Sequence, residues 1–525
     1  MKLNTKRTIY VGFAFFLILA FWQAYDSIIP LILTNKFGMS QFWSGAIMAL
    51  DNILALFLLP LFGTLSDKHK GKSGRRTPFI RVGTIVAAIL LIALAFVDVA
   101  QLKKIESVSA VDDPKALAII YDSQADKELT RPNNEKATMD DVKFVLSDEI
   151  SREDFLNIQS TVKNEDGKDV ANEDYVNLVV PARQAYVRQI TEESPQNLIM
   201  FVGILFLLLI AMAIFRSPAV ALMPDVTVKP LRSKANAIIN LMGYIGGIVV
   251  LVLGMVFATG SAKNAMMSYV GYFSAVAVLM IVALIVFLWK VKEPAWVEEM
   301  HNDSLQYGLT EQEAPNQPVE KRKLSRGEKT SLLLVLASVV LWYFGYNAIS
   351  SKYSVYATNV LSKDFNLTLT IGTASAIISF IPVGILSSKI GRKKAILAGV
   401  TLLTAAFTSA IFVNTNTSDI FVIAIFVLAG IAWATINVNS FPMVVEMCSE
   451  GDVGKYTGYY YTASMAAQTL TPMVSGYIMD NLGMSALFPY AAIFVAGSFV
   501  TMLFVKHGDN KVEAKKGLDA YDVED

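Results

Sequence analysis

The sequence predicts an all-α membrane protein: twelve transmembrane helices in two six-helix halves, with a polar extracytoplasmic insertion between helices three and four. Three observations lead there. A charged turn between apolar segments occurs twice, first as Pro60-x-x-Gly63-Thr64-Leu65-Ser66-Asp67-Lys68 running into Gly74-Arg75-Arg76. It recurs in the second half as Pro382-x-Gly384-Ile385-Leu386-Ser387-Ser388-Lys389 running into Gly391-Arg392-Lys393-Lys394. Such doubling is a mark of transporters built from repeated halves. The composition is apolar, with 54% hydrophobic residues and a mean hydropathy of +0.47. Charged residues make up only 17%, against about 25% in soluble chains, and they crowd into a few stretches.

A helix of about 20 apolar residues spans a hydrocarbon core of about 30 Å. Twelve segments qualify, near 8–34, 41–65, 79–99, 197–223, 234–259, 267–290, 330–358, 367–388, 394–413, 419–446, 455–479 and 484–505. The first is too long for a signal-peptide core and lacks a small-residue cleavage site, so it is expected to remain as an anchor. Residues 1–99 and 197–290 form the first half and 329–506 the second. A polar linker with Pro294, Pro315 and Pro318 joins them over 291–328, and 507–525 is a polar tail.

Basic residues set the orientation. Lys2, Lys6 and Arg7 precede the first segment; Lys68, Lys70, Lys72, Arg75 and Arg76 follow the second; Lys229, Arg232 and Lys234 follow the fourth. Lys321, Arg322, Lys323 and Arg326 lie in the linker, Lys389 to Lys394 after the eighth segment, and Lys506, Lys515 and Lys516 at the end. The opposite loops, such as 260–266 and 414–418, are nearly free of them. Both termini are expected in the cytoplasm of a multi-pass cell-membrane protein. Residues 100–196 then lie outside, where acids outnumber bases by eight. Tyr121, Phe144, Phe155, Tyr175, Tyr186 and the run Val176-x-Leu178-Val179-Val180 favour a small folded cap over a disordered loop. Asn164-x-Asp166-Gly167 with Glu173 is a poor calcium loop, because Val162 stands at the first ligand position.

Single Cys448 excludes a disulfide framework. The histidines, His69, His301 and His507, all lie outside apolar runs, so a buried proton carrier would be a carboxylate. No phosphate loop, metal cluster or nucleophile–base constellation is present, which argues against an enzyme. No cofactor beyond a coupling ion is expected and no nucleic acid; the expected partners are a small-molecule sugar and the lipid membrane, and the expected state is a monomer.

The repeated turn has a mechanical reading. Gly63 allows close helix approach, and Asp67 can take charge pairing from Arg75 or Arg76. With Asp225 and Glu446 at equivalent helix ends in the two halves, and Arg392 in the second copy, these residues form an expected rim of gating contacts. The alternative is that the basic residues only set topology and the acids are ordinary interfacial ones.

The pattern Gly63-x-x-x-Asp67-Lys68 with Gly74-Arg75-Arg76 resembles the signature loop of the major facilitator superfamily, and the second copy resembles that family's half-repeat, with Ser388 in place of the acid. The run on to Thr77-Pro78-Phe79-Ile80, then Ser217-Pro218-Ala219-Val220-Ala221-Leu222-Met223-Pro224-Asp225 and Ala235-Asn236-Ala237, is similar to sucrose–proton symporters and their animal relatives in the glycoside–pentoside–hexuronide group. Ser440-Phe441-Pro442 and the spacing of Gly458, Gln468, Ser475 and Gly476 add to the resemblance, which covers both halves but not the insertion. It implies the major facilitator fold and sugar transport. The departures concern coupling. Where the plant symporters carry an acid and an arginine in helix four, this chain has Leu209 and Val220; where melibiose-type relatives carry two acids in helix two, it has Ala55 and Leu59.

Other intramembrane charges are candidates, since lipid penalises them by about 2.5–3.5 kcal/mol. Asp51 lies roughly 15 Å into helix two and is the first choice as titrating group, with Asp26 second and Arg216 as counter-charge. A fixed salt bridge or interhelical hydrogen bond is the alternative. Gln23 shares the Asp26 face. Sugar recognition needs hydroxyl partners and aromatic faces in a mostly apolar cavity. Tyr343, Tyr346, Asn347, Ser350 and Ser354 share one face of helix seven, where Lys352 either pairs an acid or snorkels outward. Trp433, Asn437 and Ser440 form a stripe on helix ten, and Gln468 lies on helix eleven. Aromatic stripes more often serve packing; the amides Asn347, Asn437 and Gln468 are the harder ones to bury without a role.

The leading expectation is a secondary transporter importing a sugar or glycoside, foremost a disaccharide, by alternating access with a proton or sodium ion. An uncoupled facilitator or exporter of the same fold is the nearest rival. A membrane receptor binding its ligand through residues 100–196 is the rival from another class.

Overall fold

In the computed structural model the described residues are 3–132, 142–163, 169–306, 325–445, 447 and 453–508. Twelve long helices run in the expected order. The first half contains α1 (Thr5–Asn35), α2 (Gln41–Lys68), α3 (Thr77–Lys104), α4 (Gln196–Asp225), α5 (Arg232–Val256) and α6 (Val270–Lys290). The second contains α7 (Arg326–Tyr356), α8 (Phe365–Ile390), α9 (Arg392–Ala410), α10 (Asp419–Val445), α11 (Val453–Leu482) and α12 (Leu487–Leu503). Ten of them, among the described residues, are long and apolar enough to cross a membrane on length and composition alone. The other two are α9, which is short and starts with three bases, and α11, which is rich in Tyr, Thr and Ser.

Packing repeats between the halves. α1 lies on α5 and α6 as α7 lies on α11 and α12; α3 and α2 lie on α4 as α9 and α8 lie on α10. Prolines fall at matching places, Pro60 with Pro382 and Pro218 with Pro442, inside helices that membrane packing holds together. The halves meet along α2–α11, α5–α8 and α1–α7. Where α2 crosses α11 only glycine fits: a Cβ on Gly45 would lie 2.0 Å from the Pro472 carbonyl oxygen, and one on Gly476 2.3 Å from that of Gln41. α2 itself is interrupted at Ala49, just before Asp51.

Between α3 and α4 the chain builds a compact unit. It contains helices Pro114–Gln124 and Val180–Glu193 and two short hairpins, with Glu128 opposite Val145 and Thr161 opposite Ala171. Leu117, Ile120, Phe144, Phe155, Tyr175 and Val179 form its own core, distinct from the membrane core. Burial raises the Tyr175 pKa despite the hydrogen bond from Arg183. Residues 164–168, on which the calcium reading turned, lie outside the described residues. The linker differs from a plain polar connection: Glu293–Gln306 is a helix, and Arg7 pairs with Glu299 at 2.7 Å while lying 5.4 Å over the Trp296 ring.

Candidate functional site

The three intramembrane charges come from three helices and share one neighbourhood. Asp26 (α1) lies within Coulombic reach of Asp51 (α2), which is itself within reach of Arg216 (α4). The Arg216 guanidinium sits 5.6 Å over the Trp22 ring, an attractive arrangement for a cation. Asp51 accepts from the Asn52 backbone N–H at 2.6 Å and from Asn52 Nδ2 at 2.8 Å. Neither Asp26 nor Arg216 makes a hydrogen bond or ion pair among the described residues, so no fixed salt bridge locks the trio. Trp22 Nε1 and the Tyr25 hydroxyl beside them are buried without partners among the described residues. Gln23 turns aside, donating to Ser27 Oγ at 3.0 Å.

The second half supplies an aromatic wall. Tyr346 and Trp433 stack with ring centroids 3.5 Å apart and planes at 3°, and Tyr343 meets Trp433 edge-on at 5.5 Å. Tyr346, Ser350 and Trp433 line a cavity of about 130 Å³, to which Tyr244 from α5 of the first half also contributes. No hydrogen bond joins Asn347, Asn437 and Gln468 among the described residues. Asn347 Nδ2 is buried and unpartnered, while Asn437 and Gln468 are half-buried. These amides are thus not the mutually satisfied cluster that lipid burial would demand; their hydrogen-bonding capacity is unspent.

At the end bearing both termini, the repeated turn forms a rim network in the first half. Asp225 accepts from Arg75 Nη2 at 2.5 Å and Arg76 Nε at 2.8 Å, and Arg76 also reaches Asp67 and Ser66. The hydrogen bond to Asp225 raises the Arg75 pKa further above its ordinary value. Gly63 brings α2 against Ser217 of α4. Glu293, which the sequence reading passed over, accepts from the backbone N–H groups of Arg75, Arg76 and Thr77 at 2.7–2.8 Å and from the Thr77 hydroxyl. It caps α3, and in the sequence it is marked only as an acid three residues after the end of α6. Arg392 opens α9; Glu446 lies outside the described residues.

The profile of the Major Facilitator Superfamily matches residues 186–381 and 335–520, together more than half of the chain. The chain belongs to the Major Facilitator Superfamily. A second profile, described as MFS/sugar transport protein, matches residues 10–105. A search of curated proteins finds no match. Among solved structures, the inward open xylose transporter XylE from E. coli superposes with a TM-score of 0.54 at 12% identity, over 96% of this chain and 97% of that one. A D-xylose-proton symporter gives 0.52 at 14% identity, over 95% and 98%. A bacterial homologue of the iron transporter ferroportin gives 0.55 at 11%, over 96% and 99%. Likeness at this identity shows the shared fold.

In this superfamily member the end that carries the insertion is closed by contacts the sequence reading did not find. Asn35 and Asn359 exchange side-chain hydrogen bonds of 2.7 and 3.3 Å across the halves, and Gln184 of the insertion donates to Asn35 at 3.4 Å. Asn359 sits in a π-helical turn, Ala357–Leu361, followed by Ser362 at φ +50°, a local irregularity of the kind found at functional sites. The Ser485 backbone N–H, in the turn just before α12, donates to the Pro132 carbonyl of the insertion. Beneath, Lys36 and Asp98 pair at 2.6 Å with both side chains 0% exposed. Lys352 corrects the idea of a snorkelling lysine. Its side chain is 1% exposed and donates to the Gln41 carbonyl of the first half at 2.5 Å.

Proposed function

We propose that this transporter imports a sugar or glycoside, foremost a disaccharide, by alternating access, and couples entry to a proton or sodium ion. The observation that carries the reading is the division of labour across the interface. One half offers stacked aromatics and unspent amides, which suit the C–H faces and hydroxyls of a sugar ring. The other offers two carboxylates and an arginine that form no ion pair among the described residues, which suit a group that gains and loses a cation. The match of residues 10–105 to a sugar-transport profile and the xylose transport named for two of the structural neighbours support the same class. Basic loops at the terminal end support a cytoplasmic placement of that end in the cell membrane, with a monomer as the working unit.

An uncoupled facilitator or exporter is the second reading, favoured by Ala55, Leu59, Leu209 and Val220 at the family's coupling positions. Purified protein in liposomes decides between them. Labelled disaccharide should enter faster under an inward proton or sodium gradient; exchange without gradient response would establish the facilitator. Binding without movement, lost on deleting residues 100–196, would make the protein a receptor.

Trp433→Ala tests the wall directly. Removing the stack is expected to raise the sugar KM roughly tenfold, about 1.4 kcal/mol, with kcat changing less. An unchanged KM in uptake assays would place the sugar elsewhere.

A further inference from the structure

α2 begins at Gln41, and its first backbone N–H groups have no partner within the helix. Ser40 caps one turn weakly, accepting from Trp43 N at 3.4 Å. The stronger cap comes from the other half: Asp480 near the end of α11 accepts from Gln41 N at 2.7 Å and from Phe42 N at 2.8 Å. A carboxylate at the positive end of a helix is favoured by both charge and hydrogen bonding. Gly45 and Gly476 let the two helices approach closely enough for it. Lys352 donates to the carbonyl of the same Gln41, so one residue of the first half is gripped by an acid and a base of the second. Those two are within Coulombic reach of one another and travel together when the halves move.

We propose that Asp480 is a positioning residue of the transport cycle: it latches the insertion end shut by capping α2 across the interface and passes to Lys352 when the halves part. Opening exposes the α2 N–H groups to water and would leave a buried ammonium and a carboxylate without their shared partner. Their mutual pairing supplies the second arrangement of a two-state element. The proposal rests on the alternating-access reading but not on the identity of the sugar or ion.

The test uses the full chain with Cys448→Ser, labelled with spin probes at Lys263→Cys and Ser418→Cys, exposed positions on the outer loops of the two halves. Distances are measured by pulsed electron resonance without substrate. Gln41→Pro removes one latch N–H and keeps the carbonyl that Lys352 uses. Proline is tolerated at the first helical position, and Ser40 at φ −62°, ψ 159° already has the conformation favoured before proline. Gln41→Pro and Asp480→Asn should each enrich a longer-distance population roughly tenfold, while Gln41→Ala, which keeps the N–H, stays like the parent. Unchanged distances in Gln41→Pro would overturn the latch. So would an equal shift in Gln41→Ala, which would assign the effect to the side-chain bond to Thr34. Absence of sugar uptake by the parent chain, with the expected distances in the variants, would count against the sugar-transport reading and leave the latch standing.

Discussion

Replacing Asp51 by asparagine is expected to abolish gradient-driven accumulation while sparing exchange of substrate across the membrane. The side chain lies on α2 within Coulombic reach of Arg216 and Asp26, and among the described residues its hydrogen bonds come only from Asn52. Asparagine keeps the size and one acceptor but can neither bind a proton nor balance a cation. The carrier can still close around its substrate, so exchange continues; the link to the gradient is what disappears. The check is paired uptake and counterflow in liposomes. Accumulation at the parent level would remove Asp51 from the coupling role. Asp26→Asn, assayed in parallel, tells which carboxylate the gradient acts on.

Asp98→Ala is expected to destabilise the protein by about 3–5 kcal/mol, the cost of leaving a buried charge without its partner. Lys36 and Asp98 are both fully shielded, and among the described residues Lys36 then keeps only the Met267 carbonyl at 2.6 Å and the Tyr269 ring 4.4 Å away. Asp98 also accepts from the Tyr269 backbone N–H, so its loss loosens the junction of α1, α3 and α6. The apparent melting temperature in detergent should fall by many degrees. Combining Lys36→Met with Asp98→Leu should restore most of it, because an apolar pair removes the desolvation cost along with the attraction. A single variant as stable as the parent would show that water reaches the site.

The repeated turn and the apolar segments were readable because they obey local rules. A helix that crosses lipid must satisfy its own backbone, so twenty apolar residues in a row have few alternatives. The helix bounds therefore differ by a few residues, as where α3 continues past Val99 to Lys104. Asp26, Asp51 and Arg216 were found for the same reason, since a charge in an apolar run stands out. Asp480, Asn35, Asn359, Lys36 and Asp98 were not, because each sits near a helix end, where polar residues are ordinary.

From the sequence alone came the family resemblance, the twelve helices, the two halves and the charged candidates. These depend on periodicity and on the price of polarity in lipid, which a chain carries in its own order. Which charges pair was decided only by the tertiary structure. The repeated turn pairs Asp67 with Arg76 inside one half, whereas Asp480 reaches across to the backbone of α2 at the opposite end. A backbone N–H has no residue identity to read, and its partner is chosen by how two helices cross. That is why the rim could be foreseen and the latch could not.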